Sequence, residues 1–199
     1  MKLSTAFVER TELLFGKERF ARFMEALDGE PVVSIRYNVS KLIPENEENA
    51  VPWAANGRYL SARPVFTADP LFHAGCYYVQ EASSMFLEQF IKQYVDAPVR
   101  ALDLCAAPGG KTTHLLSLLP QGSMLVSNEP VPQRAQVLAE NVIKWGNPAS
   151  VVTRNEPADF GKFANFFDLV VVDAPCSGEG MFRKDLGAVE QWSLSNVEQ

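Results

Sequence analysis

The stretch VRALDLCAAPGGKTTHL (residues 99–115) runs from a short apolar segment through a loop of small residues into a helical pattern. The segment that ends at Cys105 has the length and composition of a buried β-strand, and KTTHLLSLL (residues 111–119) predicts a helix. Glycines in the loop let the backbone approach a ligand closely, and the N-terminus of the next helix offers unpaired N–H groups. The stretch therefore predicts a strand–loop–helix unit that binds a ligand at the carboxyl end of its strand.

The residues that follow repeat this alternation. SMLVSNE (residues 123–129) and ASVVTRN (residues 149–155) predict strands, and PQRAQVLAENVIKWG (residues 132–146) predicts a helix that ends at its glycine. FFDLVVVDAP (residues 166–175) predicts a fourth, buried strand. Alternating strands and helices with near-continuous apolar strands indicate a parallel sheet covered on both faces.

The residues before this alternation have a different sequence pattern. Apolar residues at helical spacing between Ala6 and Leu27 predict one or two amphipathic helices, which Gly29 and Pro31 end. VVSIRYNV (residues 32–39) predicts a strand.

Three further predictions concern the segment between these regions. The acidic residues 44–49 predict a solvated loop, and residues 51–70 an irregular α+β segment. SSMFLEQFIKQY (residues 83–94) predicts a helix with Ser83 or Ser84 as N-cap. We expect two domains, a small α+β module over residues 1–72 and an α/β domain over residues 73–199.

Composition excludes several classes of protein. The chain has 199 residues, 47% of them hydrophobic and 21% charged, which is typical of a globular protein, and no apolar run reaches the roughly 18 residues of a membrane-spanning helix. Charged residues interrupt the N-terminus where a secretory signal would be apolar. Three scattered cysteines favour neither a disulfide framework nor a zinc site and indicate a reducing, cytoplasmic compartment. The net charge of −6 argues mildly against a nucleic-acid partner.

Three ligand classes compete for the loop after the first strand of the alternation. A P-loop requires glycine where Cys105 stands, and the spacing GxGxxG of a dinucleotide site is absent. S-adenosylmethionine remains, since it has no phosphate and needs a tight loop beside its amino acid end. Glu129, at the end of the second strand, is suited to accept both ribose hydroxyls, and Glu156 the adenine amino group. The alternative is that both are ordinary loop carboxylates.

The fourth predicted strand ends in DAPCSGEGMFRKD (residues 173–185), which places Asp173 and the thiol of Cys176 at the same sheet edge. A thiolate that adds to C6 of cytosine makes C5 nucleophilic enough to attack a methylsulfonium group. Asp173 is a candidate for the acid near N3. A lone cysteine is more often a small buried apolar residue, but its position in this turn favours a chemical role. We expect Cys76 to be structural and Cys105 to line the cofactor loop.

These motifs, together with SIRYN (residues 34–38) and HAGCYYVQEASSM (residues 73–85), resemble the Sun-type RNA 5-methylcytosine methyltransferases, and most closely their bacterial 16S ribosomal RNA branch. The resemblance implies a Rossmann-like class I methyltransferase α/β fold, with a parallel sheet that is incomplete at the C-terminus. It implies S-adenosylmethionine as cofactor and RNA as partner, with no metal and no membrane, in a cytoplasmic monomer. The implied cofactor-binding residues are Cys105, Ala106, Ala107, Pro108, Gly109, Gly110, Lys111, Glu129, Arg134, Glu156 and Asp173.

The resemblance also implies catalytic roles for Cys176, Asp173 and Lys111. The family uses two cysteines, of which Cys176 corresponds to the one that helps release the product. The nucleophile of the family stands in a Ser/Thr-Cys motif on the next strand, and this sequence has no such motif before Gln199. Glu156 stands where the family usually has Asp. We therefore expect the chain to hold most of the cofactor pocket and to lack turnover.

Other hypotheses stay open. Cys176 itself could be the nucleophile, as the Pro-Cys cysteine is in DNA cytosine methyltransferases. A non-catalytic RNA-binding or ribosome-assembly module with a vestigial pocket is a second alternative, whereas an NAD or ATP enzyme is disfavoured by the two failed motifs. The N-terminal module has four cations that either contact phosphate or are solvated surface charges: Arg36, Lys41, Arg58 and Arg63.

Overall fold

The structure is a computed structural model, and it describes residues 3–44 and 48–198. Of the predicted acidic loop, residues 45–47 lie outside the described residues. The chain forms two compact units, one from Met1–Pro31 and Pro175–Gln199 and the other from Val32–Ala174. The domain boundary expected after residue 72 stays a prediction.

The described elements are as follows, in chain order. The helices are α1 (Thr5–Phe15), α2 (Lys17–Asp28), α3 (Pro70–His73), α4 (Leu87–Tyr94), α5 (Gly110–Leu118), α6 (Pro132–Trp145), α7 (Leu186–Gln191) and α8 (Leu194–Val197). The strands are β1 (Val33–Tyr37), β2 (Ala50–Val51), β3 (Ala54–Leu60), β4 (Tyr77–Val79), β5 (Arg100–Asp103), β6 (Met124–Asn128), β7 (Ser150–Thr153) and β8 (Leu169–Val171). Short 3₁₀ turns cover Phe66–Ala68, Ser83–Phe86, Pro157–Lys162 and Glu179–Met181.

The smaller unit is a helical cluster. Helices α1 and α2 confirm the prediction for residues 6–27, and Gly16 separates them at a φ of 73°, a conformation that favours glycine. The buried side chains Phe7, Leu27, Phe182 and Trp192 form its core. The N-terminal helices and the segment after Pro175 therefore share one small apolar core.

A small antiparallel sheet begins the larger unit. Its strand order is β2-β3-β1-β4, and Ile35 in β1 lies between Arg58 of β3 and Val79 of β4. The predicted strand at residues 32–39 is confirmed. Helix α4 confirms only part of the helix predicted over residues 83–94, because its first turn is 3₁₀.

The predicted serine cap of that helix is wrong. The capping positions are occupied by Ala82 and Phe86, and no side chain caps either turn. Ala82 already has helical φ and ψ angles of −57° and −38°. A serine cap needs an extended residue at the helix start, so neither Ser83 nor Ser84 is in a position to cap.

A parallel sheet in the order β7-β6-β5-β8 forms the rest of the larger unit. All four strands predicted between residues 99 and 175 are present, and α5 and α6 connect β5 to β6 and β6 to β7. Side chains of α5 and α6, Leu115 and Leu138 among them, pack with Ala101 and Leu125 of the sheet. The fold is a Rossmann-like α/β fold, as the sequence predicts.

The prediction that both sheet faces are covered is confirmed only in part: on the second face Leu102 of β5 is 3% exposed, whereas the edge strands are open. Val151 of β7 and Val170 of β8 lie in register with Leu102 of β5, and therefore on the sheet face opposite Ala101 and Leu125. Each of the two valines is 50% exposed. Strand β8 is also not the buried strand that the sequence predicts. It pairs with β5 along one edge, and Val172 just after it is 57% exposed. Helices α5 and α6 supply the side chains of one face only.

Candidate functional site

The loop after β5 is held in a tight curve by its own backbone. The Ala106 amide donates to the Asn128 carbonyl oxygen at 2.8 Å, and the Gly109 amide donates to the Ala106 carbonyl oxygen at 2.8 Å. Gly109 has a φ of 109°, and a Cβ atom there would lie 3.3 Å from Leu138. Only glycine combines this conformation with such close packing against α6. The loop is thus a preformed backbone curve that ends at the N-terminus of α5.

Asn128, which sequence reasoning missed, fixes the ends of three strands relative to one another. Its side-chain nitrogen donates to the carbonyl oxygens of Leu104 and Asn155, at 3.2 and 2.9 Å. Its side-chain oxygen accepts from the Thr153 hydroxyl and from the Asn155 amide. The sequence signal was its position as the last residue of a predicted strand, immediately before Glu129. Asn128 thereby sets where Glu129 lies.

Glu129 is buried, with 1% of its surface exposed. One carboxylate oxygen accepts from the Val131 amide at 3.1 Å. The other has no hydrogen-bond partner among the described residues, and a guanidinium nitrogen of Arg134 lies 3.5 Å from it. Arg134 also donates to the Ala107 carbonyl oxygen at 3.0 Å, so it links Glu129 to the loop.

Asp103, at the end of β5, is a second buried carboxylate with an unused acceptor. One of its oxygens accepts from the Thr112 hydroxyl at 2.7 Å, and the other has no partner in the described part of the chain. Burial raises the pKa of Asp103 to about 6. Two carboxylates with spare acceptors therefore end adjacent strands beside the loop, where a ligand with hydroxyl or amino donors would satisfy them.

A cavity of about 190 Å³ opens along the same loop. It brings together the predicted residues Cys105, Ala106, Ala107, Pro108, Gly110, Lys111 and Asp173. The Lys111 ammonium donates to the Asp173 carboxylate at 2.5 Å. The cavity does not reach Gly109, Glu129, Arg134 or Glu156. Glu156 is exposed at the start of the 3₁₀ turn Pro157–Lys162.

Another part of the wall of this cavity comes from β4 and the residues after it, for which the sequence predicted no role in ligand binding. These wall residues are Tyr78, Val79, Gln80, Glu81 and Ser84. The stretch at residues 73–85 carried part of the resemblance, and that was the only signal for them. Gln80 is 7% exposed, and its side-chain oxygen accepts from Arg36 at 2.8 Å.

Arg36 and Arg58 correct the prediction of a phosphate-contacting surface. They are 1% and 7% exposed, so their side chains do not face solvent. Arg36 donates to Gln80, to the Thr113 hydroxyl at 2.7 Å and to the Gly110 carbonyl oxygen at 3.3 Å. Its guanidinium carbon lies 4.6 Å from the Trp145 ring centre, and burial lowers its pKa to about 9. Arg36 therefore joins the small sheet to the start of α5.

The other two predicted cations have different surroundings. The Lys41 ammonium donates to the carbonyl oxygens of Ala74 and Lys144, at 2.9 and 2.8 Å. Arg63 is exposed, and its guanidinium carbon lies 5.5 Å from the centre of the Phe66 ring. Of the four, Arg63 is the one that is exposed and, in the described part of the chain, donates no hydrogen bond to the backbone.

Two family models match this chain. The model described as 16S rRNA methyltransferase RsmB/F matches residues 93–193, and that of the N-terminal domain of 16S rRNA methyltransferase RsmF matches residues 3–82. The chain belongs to the RsmB/F family of 16S rRNA methyltransferases. The resemblance stated from the sequence motifs is therefore confirmed.

Individual relatives agree with this assignment. Ribosomal RNA small subunit methyltransferase F of Erwinia tasmaniensis is 32% identical over 98% of this RsmB/F chain, and the match covers 44% of the relative. The chain thus spans less than half the length of that relative. Among solved structures, PH0851 superposes with a TM-score of 0.87 at 20% identity, over 98% of this chain and 46% of its own. NSun6 from Pyrococcus horikoshii, described as solved with SFG, gives 0.80 at 18% identity over 98% of this chain and 76% of its own. Both show the fold.

The three cysteines of this RsmB/F chain lie in different surroundings. Cys76 is buried in the small sheet, as expected for a structural residue. Cys105 is half-buried in the cavity wall, and its pKa is raised by burial and then by the charges of Glu129 and Asp103. Cys176 is exposed and belongs to the smaller unit. Its predicted position beside Asp173 stays a prediction.

The described residues offer neither a membrane span nor a metal cluster. Within residues 3–44 and 48–198, no helix is long and apolar enough to cross a membrane. The same part of the chain contains no cluster of three or more His, Cys, Asp or Glu side chains that could hold a metal ion.

Proposed function

We propose that this protein uses S-adenosylmethionine to methylate C5 of a cytosine in ribosomal RNA. The observation that carries the proposal is the buried Glu129, with one carboxylate oxygen that accepts no hydrogen bond from the described residues, beside a glycine loop at the carboxyl end of the parallel sheet. Family membership supports the same reaction. Free cysteines support a reducing, cytoplasmic location.

The residues present fit the proposed cofactor. The oxygens of Glu129 and Asp103 that accept no hydrogen bond in the described chain would accept hydrogen bonds from the ribose hydroxyls and from the amino acid end. The loop from Cys105 to Lys111 would pass along the amino acid end, and Glu156 would accept from the adenine amino group. Arg134 bridges Glu129 and Ala107, so it would border the nucleoside. The cofactor supplies an electrophilic methyl group when bound.

Lys111 and Asp173 form the polar pair within the cavity that would face the target base. Asp173 would hold a proton at N3 of cytosine while a thiolate adds to C6, and Lys111 would keep the Asp173 carboxylate oriented. Product release requires that a base remove the C5 proton so that the thiolate can leave C6, and Cys176 would act in this step. None of the three cysteines follows a Ser or Thr, so the chain contains no Ser/Thr-Cys nucleophile motif. We propose that these 199 residues alone bind cofactor without turnover.

Calorimetric titration tests the cofactor part of this proposal. We expect S-adenosylhomocysteine to bind, and ATP and NAD not to bind, because neither a P-loop nor a dinucleotide motif is present. Transfer of a radioactive methyl group to RNA is expected to be absent with the 199-residue chain. Binding of ATP or NAD in preference to S-adenosylhomocysteine would contradict the proposal. Methyl transfer that Cys176→Ala abolishes would instead make Cys176 the nucleophile.

A further inference from the structure

A second cavity, of about 450 Å³, lies in the larger unit and shares two wall residues with the candidate site. Tyr78 and Val79 of β4 line both cavities. Asn141 lines the second cavity from α6 and donates to the Pro108 carbonyl oxygen of the cofactor loop at 2.8 Å. The second cavity therefore adjoins the site where the target base is proposed to bind.

The walls of this second cavity combine aromatic rings with positive charge. Phe66, Phe72 and Tyr78 supply the rings, and Arg63 stands at the exposed rim. The ammonium group of Lys144 lies 4.2 Å from the centre of the Phe72 ring. Neither Arg63 nor Lys144 makes a salt bridge with a carboxylate in the described ranges. The chain has a net charge of −6, yet Arg63 presents a positive charge at the rim beside the half-buried rings of Phe72 and Tyr78. Lys144 adds a charge that Glu140 partly balances.

The cavity of the smaller unit is a useful contrast. It is also lined by aromatic rings, including Phe15 and Phe23, and by the arginine Arg10. There, however, Arg10 lies 3.5 Å from the Glu179 carboxylate, which also lines the cavity. The wall of this cavity therefore contains a carboxylate beside its two arginines, Arg10 and Arg183, whereas the described residues that line the second cavity include no carboxylate. A carboxylate in the wall repels phosphate.

We propose that the second cavity binds one nucleotide of single-stranded RNA adjacent to the target cytosine. The base lies against Phe72 and Tyr78, and the phosphate lies at Arg63. Single-stranded RNA is typically recognised by stacking of splayed bases on aromatic side chains, with cations at the backbone. The shared wall at Tyr78 and Val79 places this nucleotide next to the base that Asp173 faces. The inference rests on the proposed function, because it assumes an RNA substrate.

Binding of a short, fluorescently labelled single-stranded RNA that contains one cytidine tests the inference by anisotropy. We expect Arg63→Ala and Phe72→Leu each to weaken binding about tenfold, since stacking and phosphate contacts have this magnitude. Arg63→Ala is also expected to reduce the slope of log affinity against log salt by roughly 0.7, the value for one phosphate contact on a single strand. Phe72→Leu keeps apolar volume in the small-sheet core, and circular dichroism checks that each variant is folded.

The matched control is Arg19→Ala. Arg19 also lies over a phenylalanine ring, Phe15, at 5.8 Å, but it belongs to the smaller unit and lines neither the candidate-site cavity nor the second cavity. We expect this variant to bind RNA as the unsubstituted chain does. A probe with an abasic nucleotide next to the cytidine should bind the unsubstituted chain about tenfold more weakly, and Phe72→Leu should be insensitive to that change.

The outcomes separate this inference from the proposed function. If the unsubstituted chain binds S-adenosylhomocysteine and RNA, but Arg63→Ala and Phe72→Leu behave like Arg19→Ala, the inference is overturned and the proposed function stands. If the unsubstituted chain binds no RNA, the inference is overturned, and so is the proposal that RNA is the substrate. If Phe72→Leu weakens binding of the abasic probe by the same factor as binding of the intact probe, the base does not stack on Phe72. That result would also contradict the inference.

Discussion

The larger unit contains two regions of buried charge that differ in how completely their own chain satisfies them. Around Arg36, where the small sheet meets α5, the guanidinium donates to Gln80, Thr113 and Gly110. At the carboxyl edge of the parallel sheet, Asp103 and Glu129 each keep one oxygen without a hydrogen bond in the described chain. Burying an unsatisfied polar atom costs stability. The hydrogen bonds of the first region therefore offset part of the cost of burying the Arg36 charge, a cost that shows in its lowered pKa, whereas the second region keeps a cost that a ligand would offset.

Arg36 gives the largest expected effect on stability. Arg36→Met should lower the free energy of unfolding by about 3–5 kcal/mol, because several buried acceptors lose their donor together. Urea unfolding measures this. Arg22→Met is the control, since within the described residues Arg22 makes an exposed pair with Glu18 and no other, and it should cost about 0.5 kcal/mol or less. A loss below about 1 kcal/mol for Arg36→Met would show that this region does not stabilise the fold as described.

Substitution of Asp103 should change the free energy of unfolding in the opposite direction. Its folded-state pKa of about 6 lies above the ordinary value of 3.8, so its charged form destabilises the fold, and the cost grows as pH rises from about 4 to about 6. Asp103→Asn should therefore increase the free energy of unfolding above pH 6, by up to about 3 kcal/mol, and change it little near pH 4. Denaturant titrations at the two pH values measure the difference.

The same substitution should weaken binding of S-adenosylhomocysteine, because an acceptor is lost. Stabilisation at neutral pH together with weakened binding would show that this site trades stability for function. Destabilisation by Asp103→Asn at neutral pH would remove the contrast between the two regions.

Glu88, like Arg36, is a buried charged group that its own chain supplies with hydrogen-bond partners. Its carboxylate accepts from the Ala55 amide and contacts His114 and Lys92, at 3.1 and 2.6 Å. Burial opposes ionisation of Glu88, but the hydrogen bonds from His114 and Lys92 outweigh it and lower the pKa to about 2. The stabilisation is thus present above pH 4.5 and is lost as pH falls towards 2.

Glu88→Gln should lower the free energy of unfolding by about 1.5–3 kcal/mol at neutral pH, the worth of hydrogen bonds to a charged group. The cost should shrink as pH falls below 4.5. Acid titrations of the stability of both proteins check this. A cost that stays constant down to pH 2 would show that Glu88 is not held charged by its neighbours.

The sequence predicted the parallel sheet because its evidence is local. Apolar runs of strand length, helical spacing and the glycines near residue 109 identify each element without knowledge of its neighbours. The loop residues 105–111 and Asp173 came from the same local patterns, and the structure places most of them around one cavity. Roles for these residues remain proposals.

The predictions that failed depend on contacts between distant parts of the chain. Arg36 looked like a surface cation because nothing near it in sequence supplies its acceptors, which come from residues 44 to 77 positions away. The exposure of Val151 and Val170 likewise depends on which helices cover the sheet, and strand patterns do not contain that information. The wall residues Tyr78 and Gln80 were missed for the same reason.

The affinity of Glu129→Ala for S-adenosylhomocysteine, measured by calorimetry beside its free energy of unfolding, tests the central claim most directly. Glu140→Ala is the matched control, because Glu140 lies on the exposed side of α6, where it accepts a hydrogen bond from Gln136 at 3.2 Å. We predict that Glu129→Ala weakens binding at least about tenfold, since charged hydrogen bonds to the ribose are lost, while its stability stays within about 1 kcal/mol of the unsubstituted chain. Binding as tight as that of Glu140→Ala, or unfolding of the chain, would mean that the Glu129 carboxylate serves the fold rather than a ligand.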